Sequence, residues 1–223
     1  MYQLIQEIDQ NQWIGSACTE VLEKVKERQQ CSLAISVAEV GVGVGATSVQ
    51  ICKRLRGGDS YTCFDFSETV EKLVHDLQLL PDVSCKIASY GNTHKHWDSY
   101  AWALSNLLFA MRNRQEDGMY DVVYLDGAHS FFQDGLACCL LKELVKPGGY
   151  LIFDDMKWTY ASSPTVNPVK NPATAENMTE EQIEDPQVTR VVRCFMEHDP
   201  SFVCRSEEHA SRAVFQKKKS GEK

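Results

Sequence analysis

The chain has 223 residues, 43% of them hydrophobic and 24% charged, and 31 acidic against 23 basic side chains give a formal charge of −8. That length suits one domain with a sizeable core, expected over residues 1–223, and the acidic balance speaks against the basic stripe of a general nucleic-acid binder. No run reaches the ~18 apolar residues of a membrane span, and the first residues, with Glu7 and Asp9, lack the form of a signal peptide. A cytoplasmic protein without membrane or nucleic-acid partners is therefore expected. Its nine cysteines, odd in number and without a C-x-x-C pair, read as reduced thiols that fill small apolar spaces.

Taken in order, the first thirty residues look helical. Leu4, Ile5 and Ile8 form one apolar set; Cys18, Val21, Leu22 and Val25 form another, with a break at Gly15-Ser16. This N-terminal helical extension packs on the domain or offers a surface for a homo-oligomer. From residue 33, strand and helix signals alternate. Strands are predicted over Leu33–Val40, Ser60–Asp65, Val83–Ala88, Tyr120–Leu125 and Tyr150–Phe153. Helices are predicted over Ala46–Leu55, Glu68–Leu79, Tyr100–Met111 and Phe131–Val145. Residues 157–186, which hold Pro164, Pro168, Pro172 and Pro186 among Asn, Thr and Glu, lack periodicity and read as a lid loop. A helix over Val188–Glu197 and two strands, Phe202–Arg205 and Ser211–Gln216, follow; the strands suit an antiparallel hairpin at a sheet edge. Residues 217–223, opening on Lys217-Lys218-Lys219, read as a flexible solvated tail.

Such alternation implies a parallel sheet covered by helices on both faces. Ligands bind such sheets beyond the carboxyl ends of the strands, where strand order reverses. Glu39, Asp65, Asp126, Asp154 and Asp155 all fall at or just past predicted strand ends. The sharpest local signal is Glu39-Val40-Gly41-Val42-Gly43-Val44-Gly45, between a strand and a helix. Glycines there let the backbone approach a ligand closely, and the free N–H groups of the following helix face an anion. Dinucleotide, nucleotide and S-adenosylmethionine enzymes all use such a turn. His94-Lys95-His96 reads as a solvated loop, because two imidazoles without a third ligand do not make a metal site. Trp97, Tyr100 and Trp102 are candidates for an apolar wall.

The motif order is more specific than any single motif. Glu39-x-Gly41-x-Gly43-x-Gly45 is followed by Phe64-Asp65, by Tyr124-Leu125-Asp126-Gly127-Ala128-His129-Ser130, and by Lys146-Pro147-Gly148-Gly149 leading into Asp154-Asp155. Over residues 33–155 this resembles the class I S-adenosylmethionine-dependent methyltransferases, in the small-molecule O-methyltransferase branch that includes catechol-type and macrolide-sugar enzymes. The resemblance implies a doubly wound, Rossmann-like α/β fold with a seven-stranded mixed sheet. It also implies the cofactor contacts: Gly41, Gly43 and Gly45 beside the methionine portion, Glu39 toward its ammonium group, and Asp65 with Phe66 at the ribose. Ser89 and Tyr90 would lie near the adenine. A carboxylate can accept from both hydroxyls of a vicinal diol, and Ser67 is left to cap the following helix.

By the same resemblance Asp126, Asp154 and Asp155 occupy the positions of a magnesium site, and Asp126 also borders the cofactor. His129 stands where catechol-type relatives place a lysine base, so the chain departs from that pattern with an imidazole suited to accept a proton near neutral pH. Lys157 and Trp158 would line the substrate mouth. The expected activity is methyl transfer from S-adenosylmethionine to an oxygen of a small-molecule acceptor, aided by magnesium. Metal-independent methylation of nitrogen or carbon is the alternative, as is a cofactor-binding protein of this fold with another role. The glycine spacing speaks against a nicotinamide dehydrogenase, which wants G-x-G-x-x-G.

Overall fold

A computed structural model describes residues 17–208, 210–219 and 221; the apolar set at Leu4, Ile5 and Ile8 and the break at Gly15-Ser16 lie outside these residues. Helix α1 (Thr19–Cys31) is followed by β1 (Ser36–Val40), α2 (Ala46–Arg54), β2 (Ser60–Phe66), α3 (Ser67–Gln78) and β3 (Lys86–Asn92). Next come α4 (Tyr100–Asn113), β4 (Tyr120–Leu125), α5 (Phe131–Leu144) and β5 (Val145–Phe153). The chain continues through α6 (Pro172–Asn177), α7 (Glu180–Glu184), α8 (Gln187–Phe195), β6 (Phe202–Cys204) and β7 (Ala213–Lys217). The strands form one sheet in the order β3-β2-β1-β4-β5-β7-β6. Strands β1 to β5 run parallel, while β7 is antiparallel to both β5 and β6. This is the expected Rossmann-like, seven-stranded mixed sheet with a hairpin at its edge.

Side chains alternate across each strand, and the alternation sorts the core into two layers. Val37, Tyr61, Cys63, Val122, Tyr124 and Ile152 point to α1, α2 and α3, where they meet Val21, Val25, Val49, Val70 and Leu73. Ala38, Val40, Phe64, Val123, Leu125 and Phe153 point the other way, onto Leu104, Leu141 and Val191 of α4, α5 and α8. Helix α1 thus docks on the domain through Cys18, Val21 and Val25, with Leu22 packed beside them.

Register sets the position of the site. Val40 pairs with Phe64 on one side and Leu125 on the other, and Leu125 pairs with Phe153. The next residue of each strand therefore falls in one row along the carboxyl edge: Gly41, Asp65, Asp126 and Asp154. Order reverses between β1 and β4, so the row crosses the switch point where such sheets bind ligands.

Three sequence expectations change. Strand β3 spans Lys86–Asn92, three residues later than Val83–Ala88. It is an edge strand exposed over most of its length, so apolar content marks its position poorly. Ser67 does not cap α3. Strand β2 runs directly into the helix, Phe66 is the capping position, and the Ser67 hydroxyl donates to the Asn92 carbonyl at 3.2 Å. Residues 157–186 are less irregular than expected: they hold α6 and α7, and their polar residues serve local structure. Thr179 and Gln182 form a capping box on α7, Pro172 opens α6, and the Asn167 amide donates to the Ser163 carbonyl at 2.6 Å.

Candidate active site

One cavity of about 940 Å³ opens along the carboxyl edge of the sheet, lined from Glu39 and the glycine turn at one end to Asp126, His129 and Asp155 at the other. Its size lies at the upper end of the roughly 300–1,000 Å³ typical of small-ligand sites.

The glycine turn is locked to the neighbouring strands. Gly41 has φ +82°, and a Cβ there would lie 1.9 Å from the Asp126 carbonyl oxygen, so only glycine fits. Its N–H donates to the Phe64 carbonyl at 2.8 Å. Gly43, at φ +49°, has nothing within 4 Å of its missing Cβ and borders open cavity. Gly45, with φ +80°, caps α2. Asp65 braces the turn, its Oδ2 accepting from the Val42 N–H at 2.8 Å and its Oδ1 from the Phe66 N–H at 2.7 Å. Each oxygen keeps a second lone pair for a ligand hydroxyl.

Glu39 sits one row inward beneath the turn. The Ser48 hydroxyl donates to its Oε2 at 2.8 Å, and the Tyr61 hydroxyl donates to the same oxygen. Burial pushes the carboxyl up to about 7, against the two hydrogen bonds that favour its charged form. Phe66, Asn92, Thr93 and His94 form the wall beyond Asp65. Ser89 and Tyr90 do not reach this cavity. They lie within the extended β3, where Tyr90 stacks on Phe64 at 5.2 Å, and they border a separate hollow beside Trp102.

At the other end the three expected aspartates part company. Asp154 pairs with Arg212 of the loop before β7, Oδ1 to Nε at 3.0 Å, and its Oδ2 accepts from the Tyr124 hydroxyl. Arg212 also reaches Glu20 of α1 at 3.3 Å. Asp126 and Asp155 instead flank His129, whose Nε2 lies 3.8 Å from Asp126 Oδ1 and 3.5 Å from Asp155 Oδ2. Among the described residues, Asp126, His129 and Asp155 are the group whose donor atoms converge, all within 4.8 Å of one another. This group differs from the expected set of Asp126, Asp154 and Asp155 in having His129 where Asp154 was expected. The Asp126 carboxyl is held well above the usual carboxylate range by burial and by the charges of Asp154 and Asp155. Burial, joined by the Asp154 charge, also raises Asp155.

The loop carrying His129 is held from behind. Tyr100 donates its hydroxyl proton to Asp134 and accepts from the Ala128 N–H at 3.3 Å; Asp134 Oδ2 accepts from the Ser130 N–H at 3.0 Å. From the outer side, the Tyr160 hydroxyl donates to the Ala128 carbonyl at 3.2 Å. His129 adopts φ +53°, a left-handed conformation that a β-carbon disfavours. Trp158 packs against the His129 ring at 4.9 Å, and neither it nor Lys157 lines the cavity. Indeed, no residue of 157–186 does. Tyr100 is buried at the wall, whereas Trp97 and Trp102 face outward, 78% and 70% exposed. Arg212, Tyr124 and Asp134 were not singled out as site residues in the sequence, and Tyr100 was expected only as an apolar wall. The tyrosine at 124 reads as strand core, and nothing local ties Arg212 to the acid pair.

A family model described as a methyltransferase domain matches residues 38–156, just over half of the chain. The chain belongs to this methyltransferase family. Its fold is that of the class I S-adenosylmethionine-dependent methyltransferases, shared with solved structures at low identity. An O-methyltransferase of tomaymycin synthesis from Streptomyces achromogenes, solved in complex with SAM, is 11% identical with a TM-score of 0.60, covering 96% of this chain and 85% of that one. An O-methyltransferase from Bacillus cereus in complex with SAH is 15% identical with a TM-score of 0.53, covering 92% and 83%. An SAH-bound methyltransferase from Podospora anserina is 13% identical with a TM-score of 0.54, covering 92% and 80%. No curated protein matches the chain.

Proposed function

We propose that this methyltransferase transfers the methyl group of S-adenosylmethionine to an oxygen of a small-molecule acceptor, assisted by a divalent ion at the acidic end of its cavity. The observation that carries the reading is the continuity of the cavity, which joins the glycine turn and Asp65 to Asp126, His129 and Asp155. Bound S-adenosylmethionine supplies an electrophilic methyl on a sulfonium. Asp65 accepts from the ribose hydroxyls, Glu39 faces the ammonium group, and the open side of Gly43 admits the methionine backbone. Transfer of this kind needs in-line placement of acceptor and methyl, so the chain acts chiefly by positioning.

The acidic end fits a divalent ion on its own chemistry. Two crowded carboxylates raised by burial and by the charge of Asp154 are relieved by a cation, and the imidazole between them adds a third donor. Asp126, His129 and Asp155 would hold the ion, which would lower the pKa of an acceptor hydroxyl. A second reading has its own support in the 3.5 and 3.8 Å approaches of His129 Nε2 to the carboxylates. In that reading Nε2 itself takes the hydroxyl proton.

Among the described residues no helix is long and apolar enough to cross a membrane. All nine cysteines are free thiols, which supports a cytoplasmic setting. The test is calorimetric titration with S-adenosylmethionine, followed by mass-spectrometric screening of hydroxylated small molecules with and without chelator. Absence of cofactor binding in the folded chain would overturn the assignment. Full turnover in excess chelator would leave His129 as the base.

A further inference from the structure

The metal donors of this chain differ from three aspartates, and the difference has a physical cause. Arg212 binds Asp154 at 3.0 Å and shares its charge with Glu20 at 3.3 Å, while the Tyr124 hydroxyl occupies the second Asp154 oxygen. Asp154 is thus held by Arg212 and by the Tyr124 hydroxyl, which also approaches Asp126. We infer that the centre is a mixed nitrogen–oxygen site of Asp126, His129 and Asp155 that takes a later first-row transition-metal dication, such as cobalt, in preference to magnesium. The inference rests on the proposed divalent ion at this end of the cavity and specifies its donors.

Geometry and charge both favour this set. The separations of 3.8 and 3.5 Å from His129 Nε2 to the two carboxylates need to shrink by about 0.5–0.8 Å, and the carboxylate oxygens, within 4.8 Å of each other, close by a side-chain adjustment. Ligands about 2.1 Å from one metal at right angles lie about 3 Å apart. The Tyr124 hydroxyl lies 3.2 Å from Asp126 Oδ2, which leaves Oδ1 facing His129, the orienting role that outer hydrogen bonds play around metal ligands. Trp158 fixes the far face of the His129 ring at 4.9 Å. Two carboxylates and a neutral imidazole match the charge of a dication, while Asp154 has Arg212, shared with Glu20, as its counter-charge. Magnesium demands oxygen donors and retains its waters, whereas imidazole suits later first-row metals.

The test uses the full chain, stripped with chelator and titrated calorimetrically with MnCl2, CoCl2 and MgCl2, alongside NMR of the cobalt-loaded protein. The expected result is one site with cobalt bound at least tenfold more tightly than magnesium and more tightly than manganese, and a paramagnetically shifted, exchangeable imidazole N–H resonance. His129→Gln should abolish that resonance and weaken cobalt binding at least tenfold, with magnesium changed by less than threefold. Arg212→Gln, by releasing Asp154 to the centre, should strengthen magnesium binding and narrow the preference. S-adenosylmethionine binding by each variant confirms that it is folded. Unchanged cobalt affinity in His129→Gln, or an equal loss for cobalt and magnesium, would overturn the inference while leaving a metal-assisted enzyme. Failure of the wild-type chain to bind any of the three ions would overturn both, and leave methyl transfer with His129 as base.

Discussion

Gly41→Ala offers the sharpest test of how the fold shapes the cofactor end. At φ +82° an alanine costs roughly 1–2 kcal/mol for the left-handed conformation alone. Its Cβ would also lie 1.9 Å from the Asp126 carbonyl oxygen, against about 3.3 Å for an ordinary carbon–oxygen contact. The overlap cannot be relieved cheaply. The Gly41 N–H is bound to Phe64 at 2.8 Å and the Asp126 N–H to Val40 at 2.8 Å, so β1, β2 and β4 must move together. Forced overpacking adds about 1–3 kcal/mol, for a total of roughly 2–5 kcal/mol. Gly43→Ala is the control. Its φ of +49° carries only the conformational cost, about 1 kcal/mol, because nothing lies within 4 Å of the new methyl. That methyl enters the cavity, so S-adenosylmethionine affinity should fall at least tenfold while the fold holds. Urea denaturation measures the first effect and calorimetry the second. A Gly41→Ala protein no less stable than Gly43→Ala would refute the close approach of β1 to β4.

Glu39 predicts a pH dependence of stability in the cofactor-free protein. Its carboxyl rises from 4.5 to about 7 on folding, so its favourable contribution is complete below 4.5 and is lost as pH rises through about 7. The shift corresponds to roughly 3 kcal/mol. Glu39→Gln should flatten the decline between pH 5 and pH 8 in urea titrations, and an undiminished decline would place its cause elsewhere. Asp65→Ala removes the brace on Val42 and Phe66 as well as the ribose acceptor. It should weaken S-adenosylmethionine by about ten- to a hundredfold, from the ~1.5–3 kcal/mol of charge-assisted hydrogen bonds; calorimetry showing unchanged affinity in the folded variant would rule out the ribose role. Tyr100→Phe leaves Asp134 short of a buried donor and frees the Ala128 N–H. A loss of about 1–3 kcal/mol is expected, with faster amide exchange confined to residues 127–130, and uniform exchange across the chain would argue against a local clamp.

Much of this protein was determined by local pattern. Alternating apolar runs placed β1, β2 and β4 within three residues, because a buried parallel strand needs a continuous apolar stretch whatever surrounds it, whereas β5 opens at Val145, five residues before Tyr150. The glycine turn and the acids at the strand ends followed, since they are set by where those strands stop. Three-dimensional structure decided the rest. β3 lies at an exposed edge where composition carries little signal, and within residues 157–186 the short helices α6 and α7 start at Pro172 and at the Thr179 capping box, residues that read as loop chemistry in sequence. The site changed most. Whether Asp154 or His129 completes the acid cluster depends on Arg212, which arrives from the edge hairpin and meets Asp154 only because β7 pairs with β5. A charge pair between residues so far apart in the chain leaves no periodicity and no motif; it exists only once the sheet has closed around it.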